Sequence, residues 1–297
     1  MPVGDAELRI GTSGWNYPSG KGTWNGVFYP PSRGRPKHFD ELAFYARHFN
    51  TVEVNSTFYG QPRAEVSKAW ASRTPAGFEF SVKLYRKFTH PKMVEFEPAT
   101  VFDIDEFKRG VDPIASAGKL GALLAQFPPS FKSDAASLEY LNTLLSAFSG
   151  YQLAVELRHR SWSDTFGQTL SLLKEHGAAF VQIDEPKFKL SIAQNQLPNI
   201  PTFYYMRLHG RNAAQWWTHE KPEDRYNYLY SEQEISEFVE TNDAARAIVR
   251  KAYVYTNNHF SAKSVANAAM IKKQLGEPLG GDYSEEFRTQ YASVLRA

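Results

Sequence analysis

The feature that most constrains this chain is a repeat: eight short β-like runs, most of them separated by amphipathic helical segments. The runs are "LRIGTS" (8–13), "TVEVNS" (51–56), "FEFSVK" (78–83), "GALLAQF" (121–127), "LAVELR" (153–158), "AFVQID" (179–184), "YYMRLHG" (204–210) and "YVYTNN" (253–258). Between them, segments such as "HFDELAFYARHF", "RAEVSKAWASR" and "TFGQTLSLLKEHG" space apolar residues by three and four, the period of a helix face. Ser133-Asp134, Ser163-Asp164 and the pair Ser231 and Glu234 supply helix-start signals. After the sixth run, "KFKLSIAQNQLPNIPT" has two prolines and little periodicity, and reads as a loop. No Gly/Ser linker divides the 297 residues. The pattern predicts a single TIM-type (β/α)8 barrel over 1–297 with one poorly helical βα unit after strand six, and with 280–297 as an added C-terminal segment.

Strand alternation then predicts a site. A strand sends successive side chains to opposite faces. Val52, Val54, Phe78, Phe80, Val82, Val155, Leu157, Val181, Ile183, Met206 and Leu208 form an apolar, helix-facing set. The opposite set is polar: Glu53, Asn55, Ser81, Lys83, Gln126, Glu156, Arg158, Gln182, Asp184, Arg207, His209, Asn257 and His259. These residues cluster toward the C-terminal strand ends, where barrels of this type carry their active sites. The competing expectation is structural ion pairing, for example of Glu156 with Arg158 or Arg207. Charge buried for stability alone is a poor use of it, because desolvation can cancel the attraction.

The chemistry follows from residue types. Glu53, Glu156 and Asp184 are candidate acids or bases, and His209 titrates near neutrality. Lys83 can neutralise an oxyanion or, when desolvated, form a Schiff base. Arg158 and Arg207 can fork onto a carboxylate or phosphate. Asn55, Gln126, Asn257 and Asn258 suit hydroxyl-bearing ligands, and Gly210 permits close backbone approach. Loops add Trp15, Tyr17, Arg86, His90, Trp162 and Arg211, a mixture suited to sugars or a nucleic-acid strand. Packing of the loops onto the barrel is the bland expectation for many of these aromatics. The aromatic-rich stretch after strand seven is a candidate lid.

A formal charge of +2 carries no global polyanion signal. With no cysteine there are no disulfides or thiolate metal sites. No cofactor is required; a divalent metal, if used, would be held by Glu53, Glu156, Asp184 and His209. The start lacks an apolar leader core and no stretch is long enough to span a membrane, so a cytoplasmic protein is expected.

The motifs "RIGTSGW", "FYP", "VEVNSTFY", "FSVK" followed by "TH", "QFPPSF", "AVELRHRSW" and "RLHGRN", in this order from about residue 8 to 270, resemble the DUF72 or YecE-like family. The resemblance implies a TIM barrel related to the endonuclease IV and xylose isomerase group and a loose link to sugar isomerases. It leaves the chemistry unspecified. The stretch "KGTWNGVFYPPSRGRPKHF" is expanded relative to the family pattern, and the tail after Leu279 carries none of its motifs.

Three functions follow as expectations. The first is an enzyme using acid–base chemistry on a sugar, sugar phosphate or other polyhydroxy anion. The second is an endonuclease IV-like phosphodiesterase acting on nucleic acid, with or without metal, although no tight H-x-H or H-x-x-E cluster supports it. The third is a non-catalytic binder of an anionic metabolite. The sequence does not reveal the oligomeric state.

Overall fold

A computed structural model describes residues 6–90, 99–194 and 197–295. The strands are β1 (Glu7–Thr12), β2 (Thr51–Val54), β3 (Glu79–Lys83), β4 (Leu120–Gln126), β5 (Leu153–Glu156), β6 (Ala179–Asp184), β7 (Phe203–Leu208) and β8 (Lys251–Thr256). All neighbouring pairs are parallel, in the order β1-β8-β7-β6-β5-β4-β3-β2. The sheet curls until β1 meets β2. That seam is thin: an isolated bridge joins Ser13 to Glu53, and the Gly14 amide donates to the Glu53 carbonyl at 2.7 Å. The architecture is a nearly closed (β/α)8 barrel, as the repeat predicts.

The helices are α1 (Glu41–Tyr45), α2 (Ala64–Ser72), α3 (Arg86–Thr89), α4 (Val101–Ser116), α5 (Ala135–Ala147), α6 (Ser161–Asp164), α7 (Phe166–Glu175), α8 (Glu232–Arg246), α9 (Lys263–Gln274), α10 (Glu285–Gln290) and α11 (Ala292–Leu295). Asp134 caps α5 through the Ser137 amide, and Ser231 with Glu234 forms the capping box of α8. Ser163 and Asp164 do not open the fifth crossover helix; they lie inside the single turn α6, and α7 starts after Thr165. Between β6 and β7 the described residues contain no helix, in line with the prolines there. The tail packs back on the barrel wall, where Tyr283 and Phe287 enclose Phe28 and the Ser284 hydroxyl bonds the Val27 carbonyl.

The helix-facing set holds on β2, β3, β5 and β7 and fails on β6. Ile183 pairs with Arg207 and Val181 with Tyr205, while Gln182 pairs with Met206 and Asp184 with Leu208. Partners in a parallel ladder share a face, so Val181 and Ile183 point into the lumen and Gln182 and Asp184 point outward. Polarity misled the reading here because the outward Asp184 finds its partners behind the sheet, in Arg211 and Tyr230.

The lumen is packed in tiers. At the bottom Glu79 accepts from Tyr253 at 2.6 Å and from Lys251 at 2.5 Å. Above it, Tyr255 bonds Ser81 at 2.9 Å and Thr51 at 2.7 Å. Gly121 leaves room for these rings: a Cβ there would stand 3.1 Å from the Ser81 and Tyr253 oxygens.

Candidate active site

The top tier is a chain of alternating charges carried by four strands. Arg207 grips Glu53 with two parallel bonds, Nε to Oε2 at 2.8 Å and a terminal nitrogen to Oε1 at 2.6 Å. Ser13 and Tyr205 donate to the same carboxylate at 2.7 and 2.8 Å. The other terminal nitrogen of Arg207 bonds Glu156. Glu156 also accepts from Arg158 Nε at 2.7 Å, and Arg158 reaches Glu185 at 3.2 Å. The sequence runs Glu53, Arg207, Glu156, Arg158, Glu185.

Desolvation raises a buried carboxyl's pKa, but opposite charges reverse the outcome where they are close. Burial acts on Glu156, yet Arg207 and Arg158 outweigh it and hold its carboxyl well below the usual range. Glu156 is therefore ionised, not a proton carrier. At Glu185 burial, with Glu156 and Asp184 adding to it, outweighs Arg158 and Arg207, so its pKa is raised. His209 meets the Asn257 amide at 2.9 Å, Arg158 at 3.3 Å and Glu156 at 3.5 Å. Burial, then the Arg207 and Arg158 guanidiniums, push its pKa down to about 4, which leaves a neutral ring.

Lys83 ends β3 at the rim of this chain. Its Nζ donates to Gln126 Oε1 at 2.5 Å and sits 4.1 Å from the centre of the Phe58 ring. Among the described residues no carboxylate lies within ion-pair distance of it. Burial, then Arg207, with Arg158 adding to it, lowers its pKa to about 7 against the pull of Glu156 and Glu53. His90 meets the same Phe58 ring edge-on at 4.9 Å; burial and the Lys83 charge hold its pKa down at about 4.

Two clefts flank the mouth. One of about 470 Å³ lies between the loops after β4, β5, β6 and β7; Lys132, Arg158, Glu185, Phe188 and Trp217 are among its walls. The other, about 440 Å³, is walled by Trp15, Tyr17, Tyr59 and Trp70 and includes Asn55, whose Oδ1 is buried without a partner. Tyr17 stacks on His259 at 4.2 Å, and Tyr226 from the loop after β7 lies 4.9 Å from the same His259 ring. Arg86 is half-buried on α3, with Nε unpartnered.

Several expected site residues lie elsewhere. Asp184 faces outward and is saturated by Arg211, at 2.9 to 3.1 Å, and by Tyr230 at 2.7 Å. Arg211 is spent on Asp184, Glu234 and Glu237. The Gly210 amide is taken by Tyr230, and its φ of +91° fits a close contact with Tyr228 instead of a ligand. Asn258 bonds Tyr228 and Asn267 behind the strand. Trp162 is fully buried, stacked on Phe131 with its indole nitrogen on the Phe131 carbonyl. The suggested metal set does not assemble either: Asp184 is outside, and Arg207 stands between Glu53 and Glu156 where a cation would sit. Among the described residues no group of three or more His, Asp or Glu side chains is arranged to hold a metal. Nor is any helix among them long and apolar enough to cross a membrane.

Glu185, Ser13, Tyr205 and Phe58 escaped the sequence reading. Tyr205 was open to it, since it shares the alternation of Arg207 and His209. Glu185 follows the end of β6, where strand phase gives no guide.

Relatives agree with this architecture. A family model described as "Protein of unknown function DUF72" matches residues 9–288. The chain is 30% identical to the UPF0759 protein YunF of Bacillus subtilis, over 93% of this chain and 96% of that one. A crystal structure of a DUF72 family protein from Thermotoga maritima superposes with a TM-score of 0.77 at 33% identity, covering 91% of this chain and 100% of that one. One from Enterococcus faecalis gives 0.79 at 25% identity, covering 94% and 100%. From β1 to α10, this chain belongs to the DUF72 family.

Proposed function

We propose that this protein is an enzyme that moves protons on a small polyhydroxy or anionic substrate at the C-terminal mouth of the barrel, with Lys83 as the titrating group. The observation that carries the reading is the environment of the Lys83 amine. It is held by a neutral amide and an aromatic face beside two guanidiniums, and so stands near neutrality. A group that exchanges its proton near the working pH is suited to acid–base catalysis. Glu53, Arg207, Glu156 and Arg158 then serve as positioning residues that fix the field around the amine. The neutral His90 ring is a hydrogen-bonding partner for hydroxyl groups, whereas His209 is buried with both ring nitrogens engaged by Asn257 and the guanidiniums. The aromatic cleft at Trp15 and Tyr59, with the unpartnered Asn55 oxygen, suits a sugar-like face.

The test is solvent exchange. Aldoses, ketoses and their phosphates are incubated with the protein in deuterated water, and loss of carbon-bound proton signals is followed by NMR. Exchange of a member of the panel with a break near pH 7, abolished in Lys83→Met, is the expected result. A panel left unchanged by the folded protein would remove the reading.

The basic and aromatic cleft at Lys132, Arg158, Phe188, Lys189 and Trp217 favours a second reading, a single nucleic-acid strand lying across the mouth. Affinity for an oligonucleotide that falls steeply with added salt would support it.

A further inference from the structure

We propose that Lys83 is an imine-forming nucleophile, which makes the substrate a carbonyl compound, a small hydroxy-aldehyde or hydroxy-ketone. This rests on the reading that the mouth around Lys83 is the active site, and it goes further by naming a bond.

The geometry around the nitrogen carries the inference. Gln126 is fixed with its oxygen toward Lys83, because its own Nε2 donates to the Phe127 carbonyl at 3.2 Å. The Lys83 to Gln126 bond needs only one N–H. A neutral amine keeps two, so the bond survives deprotonation and holds the nitrogen while its lone pair is free. Phe58 covers one side at 4.1 Å from the ring centre and excludes water there. A carboxylate partner would lock the amine as an ammonium; among the described residues none is within ion-pair range. The side chain is still partly exposed at the mouth, so a small aldehyde can reach it.

The step balances without an added oxidant or reductant. The Nζ lone pair forms a bond to the carbonyl carbon as the C–O π bond opens, and a proton moves from nitrogen to oxygen. The carbinolamine then loses water and C=N forms. Water at the partly exposed mouth relays that proton. Hydrolysis returns the free amine.

The experiment is trapping on the intact protein with glycolaldehyde at pH 7 and cyanoborohydride, which delivers hydride to C=N. Peptide mass mapping then reads the modified positions. An ordinary lysine has roughly one neutral amine in a few thousand at this pH, and an amine titrating near 7 about half. The expected result is that Lys83 is modified first, leading every other lysine by about tenfold or more. The α-amine, which also titrates near neutrality, is read separately in the map. Lys83→Arg, checked for an unchanged melting profile, loses that label and keeps the rest. Label spread over the surface lysines with Lys83 untouched overturns the proposal. A parallel NMR titration of nitrogen-labelled lysine separates the two failures. An unlabelled Lys83 that still titrates near 7 refutes the imine and leaves proton transfer standing. An amine that titrates near 10 removes both.

Discussion

Two lysines stand at opposite ends of one lumen, and their surroundings differ. Lys251 at the bottom meets Glu79 at 2.5 Å and Glu7 at 3.0 Å, and Glu79 is also held by Arg9 and Tyr253. Lys83 at the top has a neutral amide and a ring. Both face inward, and the inward residues of β3 (Glu79, Ser81, Lys83) lead from one end to the other. At the bottom every charge is answered, which is what stability asks for. At the top an amine has no carboxylate within ion-pair distance among the described residues and stands beside two guanidiniums, an arrangement that costs stability and is retained where chemistry needs it.

That contrast can be broken in several ways, here ordered by expected effect. Arg207→Met would leave the buried Glu53 with no guanidinium partner and Glu156 with Arg158 alone; a loss of about 3–5 kcal/mol in urea unfolding is expected. Asp184→Asn weakens the outward cluster with Arg211 and Tyr230 and should cost about 2 kcal/mol. It should also leave the pH break of solvent exchange in place, whereas a lost break would put Asp184 back in the site. Lys251→Met leaves Glu79 with Arg9 and Tyr253, so about 1 kcal/mol is expected, with trapping at Lys83 unaltered. Lys83→Met comes last because it is expected to gain stability where the others lose it, and that sign is diagnostic. The folded pKa near 7 lies below the unfolded value, so the unfolded chain binds more protons between about pH 7 and 10. Wild-type stability should rise with pH across that window. The variant should be the more stable of the two at pH 6 and lose its advantage by pH 10, read from paired thermal melts. A constant difference would mean that Lys83 titrates normally.

The barrel was legible in the sequence because periodicity is a local property and eight strands repeat it. The inward polar set was legible on β2, β5, β7 and β8, where one face is plainly polar. It failed on β6, where Ile183 and Asp184 exchange the faces their polarity suggests: Ile183 fills the lumen beside Arg207 and Asp184 finds Arg211 behind the sheet. Which charge meets which is a tertiary fact. Glu156 is an obvious acid in one dimension; only the two guanidiniums packed on it show why it keeps no proton. Lys83 was visible as a candidate, but its neutral partner Gln126 was not. Trp162 and Gly210 were over-read for the opposite reason, since an aromatic or a glycine near a strand end looks the same whether it serves a ligand or the packing.

One consequence follows from the seam between β1 and β2. The backbones meet directly at Ser13, Gly14 and Glu53, the Asn50 amide and Tyr45 hydroxyl bridge the rest of the seam, and Glu53 is also the residue that Arg207 grips. Opening of the barrel at its thinnest junction and loosening of the site are thus one event. Amide hydrogen exchange along Gly11–Ser13 and Thr51–Val54 becomes a remote gauge of the mouth, slowing when the charge chain is reinforced and quickening when it is cut.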